Sequence, residues 1–145
     1  MLDPHAELLR INARIKEILL QHMPRTGTYH SPVPGLVTRR LETCHTTTTC
    51  LGKPSASIIV QGEKIAMLGD HYGEGQCLVT GVDMPNAFRV LQACHDHPFL
   101  AMSLELDRSL TGQMVKELAD AVPPAACPDS GVILGTTSPE LLDAF

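Results

Sequence analysis

From Pro34 to Asp107 the sequence is cut into short apolar runs by turn residues, and this punctuation constrains the fold more than any other feature. Pro34-Gly35, Gly52-Lys53-Pro54, Gln61-Gly62, Gly69-Asp70, Gly73-Glu74-Gly75 and Pro85-Asn86 break the text, most of them close to the roughly 8 to 12 residue spacing of short strands. That spacing predicts an antiparallel sandwich or barrel. The strands it delimits are Leu36 to Leu41, Ser57 to Val60, Lys64 to Leu68, Gln76 to Thr80, Ala87 to Ala93 and Phe99 to Leu106. In the last of these Leu100, Met102, Leu104 and Leu106 alternate with Ala101, Ser103 and Glu105, so one face is core and the other is exposed or lines a cavity.

Helical periodicity flanks this block. Leu8, Ile11, Ile15, Ile18 and Leu19 recur at helical spacing behind a capping Asp3 and a first-turn Pro4, and the pattern stops near Met23, before Pro24. Arg25 to Gly35, with its prolines and glycines, reads as a connector. Asp107 is placed to cap a second helix whose apolar stripe is Leu110, Met114, Val115 and Leu118, ended by Pro123-Pro124. A loose segment follows, and Ser138-Pro139-Glu140 opens another helix that has run only to Phe145. A chain stopping there is expected to be a fragment of a longer protein. The organisation expected is therefore an N-terminal helix over 1–23, a β-barrel over 24–107 and a helical segment over 108–145: mainly β with flanking helices.

Composition bounds the function. The chain has 145 residues and a net charge of -5, so this segment lacks the clustered Lys and Arg that grip a phosphate backbone. Five cysteines, an odd number, follow an N-terminus with no basic and apolar leader pattern, which points to a reduced, cytoplasmic setting without a disulfide framework. No apolar stretch is long enough to span a membrane. No nucleophile elbow, phosphate-binding glycine loop or zinc-protease motif is present, so neither a catalytic residue nor a cofactor is assigned.

Ser57-Ile58-Ile59-Val60-Gln61-Gly62-Glu63-Lys64, Gly75-Gln76-Cys77-Leu78-Val79, Asp83-Met84-Pro85 and Pro98-Phe99-Leu100-Ala101-Met102-Ser103-Leu104-Glu105-Leu106-Asp107 together resemble the N-terminal effector domain of AraC-type bacterial transcription regulators. The resemblance runs from about Ile11 to the end of the chain. It implies a small cupin-like jelly-roll barrel, a helical dimerisation segment and, beyond this sequence, two helix-turn-helix motifs that bind promoter DNA. The implied function is binding a small-molecule effector in the barrel and resetting dimer and DNA-binding geometry, as a homodimer that meets promoter DNA only through the missing C-terminal domain. Two alternatives stand beside it: a stand-alone cupin enzyme, with or without a metal, acting on a small carbohydrate or carbonyl compound, and a truncated regulator that forms inactive heterodimers.

Candidate ligand residues follow from alternation and from the resemblance. Arg40 ends the first strand where the family commonly has an Arg. It would suit a carboxylate or phosphate, although a structural salt bridge is the reading the residue itself favours; Arg39 points the opposite way. Met67, Met84 and Met102, with Phe88, line a pliable apolar pocket or simply fill a core poor in aromatics. His71 and Tyr72 are candidate polar contacts, with exposure the default after a turn. Cys94 stands where the family usually has Ser or Thr, as a sensing thiol or a small hydrophobe. The departure from the family at Leu51-Gly52-Lys53-Pro54-Ser55, which lacks an aromatic, widens the expected pocket mouth.

His95-Asp96-His97 carries only the start of a metal-cupin motif. Cys44-His45 with Cys50 lacks a fourth ligand and encloses four threonines that read as an extended loop or strand edge, so no metal site is assigned. The apolar positions Leu110, Met114, Leu118, Leu141 and Leu142 are the candidate dimer contacts.

Overall fold

The computed structural model describes residues 3–44, 47–66, 69, 71–80, 84–118 and 132–144; side chains at 48, 50–52, 84–86, 110, 111, 114, 115, 118 and 132–134 lie outside that description. Helix α1 (Pro4–His22) forms where capping chemistry and periodicity place it. The Asp3 carboxylate accepts from the His5 amide at 3.1 Å, Pro4 sits in the first turn, and the Met23 amide donates to the Leu19 carbonyl at 2.8 Å. Its inward stripe differs from the expected one at two positions. Leu8, Ile11, Ile15 and Leu19 pack inward, but Ile18 is 45% exposed and Asn12 is buried.

The strands are β1 (Gly27–His30), β2 (Leu36–Leu41), β3 (Thr47–Gly52), β4 (Ser55–Gln61), β5 (Glu63–Ala66), β6 (His71–Gly73), β7 (Gln76–Thr80), β8 (Met84–Gln92) and β9 (Phe99–Glu105). Helix α2 (Arg108–Leu118), strand β10 (Val132–Thr136) and helix α3 (Pro139–Ala144) complete the chain. Among the described residues the strands form two antiparallel sheets, β1-β2-β9-β4-β7-β10 and β3-β8-β5-β6. The fold is mainly β with flanking helices.

Four strands lie beyond the six read from sequence: β3, where the threonine run reads as an extended loop or strand edge and instead pairs with β8, and β1, β6 and β10. The expected connector holds β1, because Pro24, Pro32 and Pro34 flank the run Gly27–His30 instead of interrupting it, and the run pairs with β2. The edge strand β6 is too short to show a period, and β10 lies in the segment taken as loose, paired with β7. Gln61-Gly62, one of the turn signals, is a corner at which the chain leaves one sheet for the other, since β4 and β5 belong to different sheets. Gly62 has φ +92°, and a Cβ there would lie 3.1 Å from the Phe99 ring and 3.3 Å from the Gln92 carbonyl. Gln61, buried, donates to the Pro98 carbonyl at 2.8 Å and holds the corner against the start of β9.

Two cores lie on opposite faces of the larger sheet. Its outer face presents Ile58, Val60, Cys77, Leu100 and Met102 to α1 and to Leu142 of α3. Its inner face meets the smaller sheet through Ile59, Phe99, Tyr72, Phe88 and Val90. Asn12 ties α1 down by donating to the Val60 carbonyl at 3.1 Å and the Glu74 carboxylate at 2.8 Å. The end of the described chain is tied to the same region: both the amide and the hydroxyl of Thr137 donate to the Gly75 carbonyl, at 2.9 and 2.7 Å.

Candidate functional site

Alternation along β2, β4 and β9 builds a cavity of about 280 Å³ between the sheets. Val37 and Arg39 face it from β2, Ser55 and Ser57 from β4, and Phe99, Ala101, Ser103 and Glu105 from β9; Lys64 and Phe88 come from the opposite sheet. Ser57 and Ser103 are direct register partners whose hydroxyls lie 2.9 Å apart, so the apolar wall carries a polar stripe.

The cationic groups converge on one ring. The Arg39 guanidinium carbon lies 5.5 Å from the centre of the Phe88 ring and the Lys64 ammonium 4.6 Å from it, with Tyr72 5.8 Å from the same ammonium. Aromatic faces offset part of the cost of placing these charges away from water, and Lys64 is only 8% exposed. The Arg39 Nε donates to the Thr28 hydroxyl at 3.3 Å. At the mouth, the exposed Lys53 ammonium pairs with Glu105 at 2.9 Å, and Gly35 (φ +82°) passes so near that a Cβ would meet the Glu105 Cβ at 3.3 Å.

A second, larger cavity of about 620 Å³ lies outside the barrel, between α1 and the outer faces of β1, β2 and β9. Ile15, Leu19, Met23, Leu36, Met102 and Leu142 supply its apolar walls, with Arg10, Arg14, His22 and His30 around its edge.

The candidate residues from sequence divide between these places. Phe88 lies in the inner cavity and Met102 lines both cavities. Arg40 lines neither: its Nη1 donates to the Met23 carbonyl at 2.7 Å, its Nη2 pairs with Glu42 at 2.8 Å and its Nε with the same carboxylate at 3.0 Å. The plainer reading of Arg40 as a structural ion pair is therefore the observed geometry. His71 is exposed on β6 and pairs with Glu63 at 2.9 Å, away from the cavity, whereas Tyr72, expected to be exposed, is buried. Cys94 is exposed, and its amide closes the turn before β9 by donating to the His97 carbonyl at 3.1 Å. Met67 lies outside the described residues, as does the side chain of Met84 on β8.

Of the dimer candidates, Leu110, Met114 and Leu118 fall on α2 with side chains outside the description. Leu141 is 41% exposed, and Leu142 is fully buried within its own chain.

Cys77 is a buried thiol that burial pushes above the ordinary value of 9.0, which leaves it protonated and poorly nucleophilic. Among the described residues no group of three or more His, Cys, Asp or Glu is arranged around a metal site; His95 instead faces Glu42, its Nδ1 3.2 Å from the carboxylate. His45 and the Cys50 side chain lie outside the description. The residues that sequence reasoning missed are Arg39, Lys64 and the facing serines. Their signal was parity: Arg39 shares the face of Val37 and Leu41, and Ser103 that of Phe99 and Ala101.

Two antiparallel sheets closing on a small cavity, with a helix before and helical segments after, define a cupin-like domain. The model of the AraC-type transcriptional regulator N-terminus family matches residues 32–145, and the chain belongs to that family. Among curated proteins none matches the sequence. Of solved structures, the apo form of a lysine-to-alanine variant of ToxT from Vibrio cholerae strain SCE256 has a similar fold, with a TM-score of 0.50 at 7% identity. The match covers 79% of this chain and 46% of that one, so this chain spans less than half of that protein's length.

Proposed function

We propose that this domain is the effector-sensing and dimerisation unit of a one-component, cytoplasmic transcription regulator, with a small molecule bound in the cavity between the sheets. The observation that carries the reading is that cavity itself: polar and cationic side chains from both sheets, set in apolar walls, in a domain of a regulator family. Ligand binding alters the balance between orientations of the dimer, which sets how attached DNA-binding domains address their half-sites. Catalysis has no part in this reading, and family membership favours it over the cupin-enzyme alternative.

The test is a fragment screen by amide chemical-shift perturbation, repeated on Ala101→Phe, which fills the cavity. Hits whose shifts cluster at Ser57, Ala101 and Ser103 and disappear in the variant support the proposal. If no fragment moves those amides, or Ala101→Phe leaves the binding unchanged, the inner cavity is not the effector site.

A further inference from the structure

Resting on the inner cavity as the effector site, the charge distribution points to the class of effector: we infer that it is a small hydroxycarboxylate. The cavity is lined by three cations, Arg39, Lys53 and Lys64, and among the described residues by one carboxylate, Glu105. Glu105 is matched to Lys53 at the mouth, and among the described lining residues cations outnumber carboxylates. Arg39 carries the argument further. Thr28 accepts from its Nε, and its ring contact is with Phe88, so among the described residues the two terminal nitrogens meet no carboxylate. A planar guanidinium presenting that end to a cavity matches the two oxygens of a carboxylate, and Lys64 places a second positive charge 4.6 Å from the same ring.

The rest of the ligand is defined by what surrounds this point. Ser57 and Ser103, whose hydroxyls pair with each other, offer both donor and acceptor positions, which suit hydroxyl groups better than an alkyl tail. Size sets the other bound. At about 280 Å³ the cavity is below the range of roughly 300 to 1,000 Å³ typical of drug-sized ligands, which favours a compact acid.

A matched pair of probes tests this on the 145-residue chain at fixed ionic strength: glycerate and glycerol, which differ in the carboxylate alone. Shifts are followed at the Arg39 Nε–H and at the Ala101 and Ser103 amides. The expected result is saturable shifts with glycerate, glycerol weaker by about tenfold or more, and loss of that difference in Arg39→Gln and in Lys64→Met. Equal binding of the two probes, or wild-type discrimination in both variants, overturns the carboxylate assignment while leaving the cavity as the effector site. Shifts from neither probe also overturn it, and the fragment screen then decides separately whether the cavity binds ligands at all.

Discussion

Arg39 and Arg40 are neighbours in sequence with separate tasks, because a strand sends consecutive side chains to opposite faces. Arg40 holds the end of α1 to the sheet through Met23 and Glu42. Arg40→Ala is expected to lower unfolding free energy by about 2 to 4 kcal/mol, since it strands a carbonyl and a carboxylate; equilibrium urea unfolding measures this. Arg39→Gln is expected to change stability by less than about 1 kcal/mol and to alter ligand binding instead. Cys77 gives a pH-dependent prediction. Its raised pKa means the folded state keeps the proton after the unfolded thiol has lost it, so its contribution to stability is whole below the unfolded pKa and is lost as pH rises towards the folded one. Cys77→Ala is expected to flatten the decline in stability as pH rises through the ordinary thiol value of 9.0, read from urea midpoints across pH. In the native protein, exposed Cys94 is expected to be alkylated well before Cys77, a difference that mass spectrometry of the labelled peptides resolves.

At the level of elements, the long periodic ones were legible and the short edge ones were not. Helix α1 declared itself by its cap and stripe, and β2 and β7 lie between the residues at which the turn signals placed them. Strands β1, β6 and β10 are three to five residues long, so their identity comes from the partner strand and not from local pattern. Asn12 escaped for a related reason: a polar residue on an amphipathic helix reads as solvent-facing until its acceptors, Val60 and Glu74, are known to lie opposite. Asn12→Ala is expected to cost about 1 kcal/mol and to speed hydrogen exchange in α1 more than in β4 and β9. The cavity was half legible, since parity put Ser103 and Glu105 on one face of β9, but only the pairing of sheets identified that face as interior. Gly62→Ala tests the corner between the sheets. A side chain there meets both an unfavourable φ and the Phe99 ring, and the expected loss is about 2 kcal/mol or more, read as a lowered urea midpoint.

For the whole molecule, the proposed homodimer rests on the apolar repeat Leu110, Met114, Val115 and Leu118. Leu118→Glu is expected to shift sedimentation towards the monomer while circular dichroism stays unchanged; a variant that sediments like the wild type would place the interface elsewhere. Strand β9 has its own role at this scale. Phe99, Ala101, Ser103 and Glu105 look into the cavity between the sheets, while Leu100 and Met102 look out towards α1 and α3. One strand is thus the party wall between two compartments, and volume added on one side presses on the other through a single layer of backbone. Substitutions walked residue by residue along this wall should give an alternating readout, ligand affinity at one step and helix seating at the next.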